Sequence, residues 1–177
     1  MARIGFVGTV SVGKTTLVNA LKELPQFKDY HFATERSKYL RDLGIPLNTD
    51  STIKGQTVFL AERVSELLRD NLITDRTIID VMAFTLEAKS IEPGVKADFL
   101  YYAKQFLKEY DYIFYIDPSG IEIEDNGVRE TNNEFRDKID FNIKNLIKSY
   151  GGLINNLHTI SGDTDNRIRQ IMNVLKF

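Results

Sequence analysis

The amino-acid sequence predicts an α/β fold in which a five-stranded parallel sheet has helices on both faces. Five short apolar runs alternate along the chain with segments whose apolar residues recur at helical spacing. Such alternation is typical of a parallel sheet, because a crossover helix must join each strand to its parallel neighbour. A glycine-containing loop, residues 8–15, reads G-x-x-x-x-G-K-T and joins the first strand to the first helix. In this context the motif indicates a loop that binds phosphate groups.

Length and composition restrict the classes of protein that fit. The 177 residues suffice for one sizeable core, so we expect residues 1–177 to form one domain. The formal net charge of −2 gives no broad basic surface for nucleic acid. The chain has no cysteine, which excludes disulfides and thiolate metal sites. No apolar run has membrane-spanning length, and the first strand leaves no room for a signal peptide, so we expect a cytoplasmic protein with no membrane partner.

The first part of the chain is predicted to contain three strands and four helices. The strands are predicted at residues 4–7, 30–35 and 72–76. The helices are predicted at residues 14–24, 37–43, 56–71 and 77–86. In the third helix the residues predicted to face inward are Val58, Ala61, Val64, Leu67 and Leu68. The polar segment 47–55 is predicted to be a loop near the substrate.

The second part of the chain continues the alternation. The helix at residues 95–110 has Phe99, Tyr102, Ala103, Phe106 and Tyr110 at helical spacing, and these residues are predicted to face the core. Strands follow at residues 112–117 and 157–161. A helix between them is predicted to begin at Thr131, with Glu134 completing a capping box, and to end at two glycines, residues 151–152. A final helix is predicted from Asp163.

The loop at residues 8–15 carries the most specific functional signal. Its glycines permit a tight turn whose N–H groups point inward, at the positive end of the following helix. Lys14 adds a charge for the β- and γ-phosphates, and the Thr15 hydroxyl is placed to ligate Mg²⁺. The motif predicts the P-loop NTPase fold and the binding of a nucleoside triphosphate with Mg²⁺. The residues predicted to bind the nucleotide here are Gly8, Thr9, Val10, Ser11, Val12, Gly13, Lys14, Thr15 and Thr16.

Adenine is predicted to be the base of the donor nucleotide. A guanine-specific switch normally carries Asn-Lys-x-Asp after the fourth strand, but this chain has Asp-Pro-Ser-Gly at residues 117–120. After the fifth strand, Ser161 and Gly162 are predicted to line the base or the sugar.

Charged residues follow the predicted strands at their carboxyl ends, which meet at one edge of a parallel sheet. The second strand delivers Glu35 and Arg36, the third Asp75 and Arg76, and the fourth Asp117. Carboxylates in such positions are costly unless a cation or a hydrogen-bond donor lies nearby. This edge of the sheet is therefore predicted to hold the functional site.

Asp75 and Arg76 are candidates for holding the metal and the acceptor. Asp75 follows an apolar run and fits the Walker B role of binding Mg²⁺, directly or through water. The alternative is an aspartate that caps the next helix. Arg76 can hold a substrate phosphate bidentately or form a structural ion pair with Asp80. Arg76 is a candidate catalytic residue, and both Arg76 and Asp80 are candidate substrate-binding residues.

Glu35 and Arg36 are further candidates for binding the acceptor. A kinase that phosphorylates a hydroxyl group benefits from a carboxylate that orients or deprotonates it, whereas a phosphate acceptor needs no such base. Glu35 is therefore a candidate catalytic residue, and Glu35 and Arg36 are candidate substrate-binding residues. Hydrogen bonds from Glu35 to sugar hydroxyls, or a structural pair with Arg36, are the alternatives.

A charged segment after the fourth strand, residues 118–136, is predicted to be a lid. Phosphoryl transfer requires positive charge on the moving phosphate, and arginines on a closing segment can supply it. Arg129 and Arg136 are therefore candidate catalytic residues, together with Lys14. The alternative is a solvated loop with surface ion pairs such as Arg136 with Asp140.

Taken together, the motifs resemble those of the small P-loop kinases related to the nicotinamide riboside kinase domain of NadR, and of AAA-like ATPase/kinase proteins. The shared features are the P-loop, Glu35, Asp75-Arg76-Thr77-x-x-Asp80, Asn126-Gly127-Val128-Arg129, Phe135-Arg136, and residues 160–163 followed by Arg167. The similarity spans nearly the whole chain, although Asn126-Gly127 stands where Asp-Gly is usual. It implies a metal role for Asp75, substrate contacts for Arg76, lid roles for Arg129 and Arg136, and a place near the adenine for Arg167.

The sequence thus predicts an ATP- and Mg²⁺-dependent phosphotransferase whose acceptor is a small nucleoside or (deoxy)nucleoside monophosphate. A polynucleotide 5′ end is an alternative acceptor, but lysines and arginines are scattered rather than clustered, which makes a nucleic-acid partner the weaker prediction. A nucleotide-dependent switch or ATPase without kinase activity is the other alternative. The sequence leaves the identity of the acceptor and the presence of a homodimer open.

Overall fold

The computed structural model describes residues 2–34, 36–120 and 133–177. These residues contain five strands, namely β1 Arg3–Val7, β2 His31–Ala33, β3 Leu72–Asp75, β4 Tyr112–Ile116 and β5 Leu157–Ile160. All neighbouring strands pair in parallel, in the order β2-β3-β1-β4-β5. The predicted five-stranded parallel sheet is therefore confirmed. Because β1 is central, the loop that follows it lies in the middle of the carboxyl edge.

Helices connect the strands and cover the sheet. The α-helices of the described residues are α1 Lys14–Lys22, α2 Ser37–Asp42, α3 Ile53–Glu66, α4 Ile78–Glu87, α5 Pro93–Ala103, α6 Asn133–Tyr150 and α7 Thr164–Leu175. Their starts follow local chemistry: Asp163 caps α7 by accepting from the N–H of Asn166 at 2.8 Å, and Thr77 caps α4. Such caps satisfy N–H groups that have no partner within the helix.

Two buried clusters lie on the two faces of the sheet. On one face, Ile4, Phe6 and Phe114 pack with residues of α1 and α7. On the other face, Val7 and Ile113 pack with residues of α3, α4, α5 and α6. Successive residues of β1 and β4 contribute to opposite clusters, as the alternation of a strand requires. The predicted helices on both faces are therefore present.

Gly5 in β1 allows an unusually close approach between the sheet and the second cluster. A Cβ atom at this position would lie 2.5 Å from Cγ2 of Thr77 and 2.9 Å from Cε1 of Tyr110. Tyr110 is fully buried, and its hydroxyl accepts a hydrogen bond from the N–H of Ile78 at 3.3 Å. The missing side chain of Gly5 thus lets Tyr110 support the first turn of α4.

The helix α3 differs most from its prediction. It begins at Ile53 instead of residue 56, so the predicted loop 47–55 holds a 3₁₀ turn, Asn48–Asp50, and the first turn of α3. The helix buries Gly55, Gln56, Leu60 and Arg63. The predicted inward face is wrong for Ala61 and Leu68, which are exposed. Apolar spacing missed part of the buried face because that part carries a glutamine and an arginine, whereas Leu67 is buried as predicted.

The helix predicted at residues 95–110 is divided into α5 and a 3₁₀ helix, Lys104–Glu109. Tyr102, which was predicted to face inward, is 61% exposed. The helix α3 also ends at Glu66, five residues before its predicted end at residue 71. The other ends lie within two residues of their predicted positions, but the predicted capping box at Thr131 lies outside the described residues. Within the ranges that the structure describes, no helix is long and apolar enough to span a membrane.

Candidate active site at the carboxyl edge of the sheet

The loop after β1 has the backbone of an anion-binding turn. Ser11 and Gly13 have φ angles of 55° and 78°, in the left-handed region, and Gly13 precedes the first residue of α1. Lys14 is 5% exposed, and its Nζ donates to the carbonyl of Gly8 at 2.5 Å and to that of Thr9 at 2.8 Å. The lysine is thus folded over its own loop, at the amino end of a helix, where anions bind readily.

The Thr15 hydroxyl donates to Oδ2 of Asp75 at 2.6 Å. Asp75 is the last residue of β3 and is 1% exposed. Its Oδ1 is buried and has no hydrogen-bond partner among the described residues. The alternative that Asp75 caps the following helix does not describe this geometry, because Thr77 and Asp80 form the capping box of α4. The Thr15 hydroxyl of the loop is thus bonded to one oxygen of the Asp75 carboxylate, whose other oxygen has no partner among the described residues.

Arg76 forms a tight corner directly after β3. Its φ angle is 97°, a conformation that non-glycine residues rarely adopt and that often occurs at functional sites. The N–H of Arg76 donates to the carbonyl of Phe6 at 3.1 Å, which extends the pairing of β3 with β1. Its guanidinium lies 5.0 Å from the centre of the Phe84 ring. The corner therefore aims a cation at the edge of the sheet next to the loop.

Asp80 connects this corner with the loop. Its Oδ2 accepts from the N–H and the hydroxyl of Thr77, at 2.7 and 3.1 Å. Its Oδ1 lies 3.5 Å from the N–H of Gly8, which donates to it, and 3.8 Å from NH1 of Arg76. Burial raises the pKa of Asp80, while the charges of Lys14 and Arg76 lower it. The structure therefore contains the ion pair between Arg76 and Asp80, and Asp80 is fully buried.

Arg136, near the start of α6, lies against the loop. Its carbonyl accepts from the hydroxyl of Thr9 at 2.6 Å, and its NH2 donates to the carbonyl of Pro118 at 3.2 Å. Asp140, the predicted ion-pair partner of Arg136, binds two other side chains. It accepts a hydrogen bond from the hydroxyl of Tyr115 at 2.7 Å and forms an ion pair with Lys144 at 2.7 Å. Arg136 is 9% exposed and is not part of a solvated surface loop.

The segment after β5 meets the loop through Arg167 of α7. NH1 of Arg167 donates to the carbonyl of Val12 at 2.7 Å, and the side chain is 3% exposed. Its Nε and NH2 are buried and have no hydrogen-bond partner in the described part of the chain. Burial lowers the pKa of Arg167, and the carboxylates of Asp163 and Asp117 oppose this shift. Ser161 exchanges main-chain hydrogen bonds with the side chain of Gln170, which fixes the turn that contains Gly162.

Some predicted site residues are not brought to this centre. Arg36 forms an ion pair with Glu62 at 3.1 Å, stacks on the Tyr39 ring at 4.4 Å, and has a side chain that is 48% exposed. Glu35 and Arg129 lie outside the described residues, as does most of the predicted lid. The roles predicted for them remain predictions from the sequence.

Sequence reasoning missed a buried polar network behind β3. Arg63 of α3 contacts Thr74, Glu66 and the carbonyl of Asp75. Burial raises the pKa of Glu66, although Arg63 and Thr74 lower it. The one available signal was the spacing of Gln56, Leu60 and Arg63, which places them on one face of a helix.

The fold matches several solved nucleotide-binding proteins. Deoxyadenosine kinase from M. mycoides, solved with the products dCMP and a flexible dCDP, gives a TM-score of 0.67 at 18% identity, covering 98% of each chain. NadR in complex with NAD and AMP-PNP gives a TM-score of 0.75 at 12% identity, over 99% of this chain and 50% of NadR. YorR from Bacillus subtilis, in complex with phosphorylated GDP, gives a TM-score of 0.57 at 18% identity, covering 98% of this chain and 95% of YorR. At these identities the similarity shows a shared fold.

Sequence comparison with curated proteins gives no significant match. The model of the AAA_28 family, an AAA domain, matches residues 3–167. This range begins at β1 and extends into α7, so it includes the loop, the corner at Arg76 and Arg167. The predicted resemblance to P-loop nucleoside and nucleotide kinases is confirmed at the level of the fold. The chain therefore belongs to the AAA_28 family of AAA domains.

Proposed function

We propose that the protein is an ATP- and Mg²⁺-dependent phosphotransferase that acts on a small nucleoside or (deoxy)nucleoside monophosphate. The observation that carries the proposal is the position of Arg76, which follows Asp75 of the Thr15–Asp75 pair directly. Asp80 links Arg76 to the loop, because it contacts both the Arg76 guanidinium and the N–H of Gly8. A switch or an ATPase needs only the loop and the metal ligands. A cation held next to them in a strained corner is what a second, anionic or polar substrate requires.

In the proposed enzyme, the loop and Lys14 hold the phosphates of ATP. Lys14 exchanges the neutral carbonyls of Gly8 and Thr9 for charged phosphate oxygens, which accept stronger hydrogen bonds. The dipole of α1 favours the same negative charge. Arg167 has two buried donor atoms beside the loop and is proposed to support the donor side, where Ser161 and Gly162 line the base or the sugar.

Thr15 and Asp75 are proposed to hold Mg²⁺. The ion prefers oxygen ligands and is usually bound by one or two protein groups, water and substrate phosphates. The donor set fits, because Oδ2 of Asp75 bonds the Thr15 hydroxyl and its buried Oδ1 has no hydrogen-bond partner in the part of the chain that the structure describes. When bound, Mg²⁺ would neutralise part of the negative charge on the β- and γ-phosphates. The residues of this chain then position the phosphates, while little covalent chemistry is asked of them.

Arg76 and Asp80 are proposed to position the acceptor, and Glu35 to orient or deprotonate an acceptor hydroxyl, with Arg36 as a further contact. Arg129 and Arg136 are proposed to supply positive charge to the transferred phosphate. The close contact of the Arg136 main chain with Thr9 supports this role, because the start of α6 lies beside the loop that is proposed to hold the phosphates.

The choice of acceptor class is supported by the structural neighbours. Deoxyadenosine kinase from M. mycoides was solved with dCMP as product, and YorR with phosphorylated GDP. Both share nearly the full length of this chain. A nucleoside is therefore the first acceptor to test, and a monophosphate the second.

The proposal is tested by measuring ADP formation with a panel of ribo- and deoxynucleosides, their monophosphates and a 5′-hydroxyl oligonucleotide. We expect turnover that requires both Mg²⁺ and one small acceptor, and that is lost in Lys14→Met. Turnover only with the oligonucleotide would move the assignment to a polynucleotide kinase. ATP hydrolysis that no member of the panel stimulates would overturn the kinase proposal in favour of an ATPase or switch.

A further inference from the structure

The corner that follows β3 is supported from behind by α3. Arg63 is 4% exposed, and its NH1 donates to the hydroxyl oxygen of Thr74 at 3.3 Å and to the carbonyl of Asp75 at 3.4 Å. Its NH2 donates to Oε1 of Glu66 at 2.6 Å. Arg63 thus links one helix to the peptide that leaves the proposed metal ligand.

Thr74 carries this support to the next peptide. Its Oγ1 lies 2.9 Å from the carbonyl oxygen of Arg76 and 3.0 Å from Oε2 of Glu66. The hydroxyl has one proton for these two acceptors, while its oxygen accepts from Arg63. The carbonyl of Asp75 is therefore bound by Arg63, and the carbonyl of Arg76 shares the Thr74 hydroxyl with Glu66 in the same buried network.

The corner needs such support because of its backbone. A non-glycine residue with a φ angle of 97°, as at Arg76, persists only where its surroundings fix it. The directions of the Asp75 carboxylate and the Arg76 guanidinium both depend on the orientation of these two peptides. A small rotation would break the contact between Oδ2 of Asp75 and the Thr15 hydroxyl without unfolding the strand.

We propose that Arg63, acting through Glu66 and Thr74, is a positioning residue for the metal ligand Asp75 and the acceptor residue Arg76. The proposal rests on the proposed function, since it assigns the network to that same site. Partners that orient metal ligands typically change metal affinity or activity by about 10- to 100-fold when they are removed. A network that served only the stability of the fold would leave the response to Mg²⁺ unchanged.

The test compares the double variant Arg63→Met/Glu66→Gln with the control Arg3→Met. The double variant removes both charges, so no buried charge is left unpaired. Arg3→Met is the control because it also removes an arginine that binds carboxylates and a main-chain carbonyl. Arg3 contacts Asp70, Glu109 and the carbonyl of Arg69, at the opposite edge of the sheet from the candidate site. Calorimetry measures binding of a non-hydrolysable ATP analogue with and without Mg²⁺, and initial rates give kcat and KM.

We expect the double variant to bind the analogue normally without Mg²⁺, to lose most of the gain that Mg²⁺ provides, and to have a kcat lower by about 10- to 100-fold. Arg63→Lys should recover part of both, because it keeps the charge opposite Glu66 but reaches fewer acceptors. Arg3→Met should change stability only. A folded double variant whose Mg²⁺ response and kcat stay within about twofold of the wild type overturns the proposal, as does an equal loss in Arg3→Met.

If the double variant does not fold, Thr74→Val provides the same test, since it removes one hydroxyl and no charge. An unaltered Mg²⁺ response in folded Thr74→Val then overturns the proposal. Failure of the proposed function gives a different result, namely a wild-type protein with no acceptor-dependent turnover. The calorimetric comparison needs no acceptor and still decides whether Arg63 positions Asp75.

Discussion

At Gly5 the central strand lies in close contact with Thr77 and Tyr110, which support the start of α4. In Gly5→Ala the new Cβ would lie 2.5 Å from Thr77 and 2.9 Å from Tyr110, and both residues are fully buried. Real Cβ contacts are longer, so one of the two side chains must move. Overpacking of this kind costs about 1–3 kcal/mol, and a weakened Thr77 cap costs about 1 kcal/mol more. We therefore expect the free energy of unfolding to fall by about 2–4 kcal/mol.

Urea unfolding followed by circular dichroism measures this loss, with Gly94→Ala as the matched control. A Cβ at Gly94, in the first turn of α5, would have no atom within 4 Å. The same substitution should there be neutral or stabilise by up to about 1 kcal/mol, since alanine restricts the unfolded chain. If Gly5→Ala and Gly94→Ala unfolded at the same urea concentration, the reasoning from close contact would be refuted.

Asp75→Asn keeps the shape of the side chain but removes its charge, so we expect calorimetry to show no gain in ATP affinity from Mg²⁺; a normal gain would contradict the metal assignment. Tyr115→Phe removes the 2.7 Å hydrogen bond to Asp140. Because that acceptor is charged, the free energy of unfolding in urea should fall by about 1.5 kcal/mol, and an unchanged midpoint would argue against this bond. Burial raises the pKa of Glu66 in the folded protein. The stabilisation that Glu66 provides is therefore complete below its unfolded pKa and is lost as the pH rises through its folded pKa. Glu66→Gln should become steadily more stable relative to the wild type as the pH rises above about 4.5, whereas parallel pH profiles of the unfolding midpoint would speak against the shift.

The loop at residues 8–15 could be located from the sequence because its information is local. The glycines, Lys14 and Thr15 stand at fixed spacing between an apolar run and a helical pattern. Asp75 could be assigned to the same edge because the end of a short apolar strand is also visible in the sequence. Parallel strands bring their carboxyl ends to the same edge whatever their order, so the sequence could assign Asp75 to that edge. The contact of Asp75 with Thr15 depends in addition on the order β2-β3-β1-β4-β5, in which β3 lies next to β1.

Arg63 and Gln56 show where the sequence was insufficient. Hydrophobic periodicity counts apolar residues, so it assigns polar residues to the solvent face of a helix. Both residues are buried, and Arg63 finds its partners on β3. Such a face can be recognised only when the strand it packs against supplies polar partners, which depends on tertiary packing. The contact between Thr9 and Arg136, 127 residues apart in the chain, likewise could not be read from local patterns.

Asp80 makes the two halves of the candidate site energetically dependent on each other. One oxygen of its carboxyl group contacts both the N–H of Gly8 and the guanidinium of Arg76. In the proposed enzyme, an anionic acceptor at Arg76 would compete with that oxygen and so change the charge that the loop and Lys14 experience. By thermodynamic linkage, ATP bound at the loop would then change the affinity for the acceptor by the same factor by which the acceptor changes the affinity for ATP. In a double-mutant cycle we expect the effects of Lys14→Met and Arg76→Met on ligand binding to deviate from additivity.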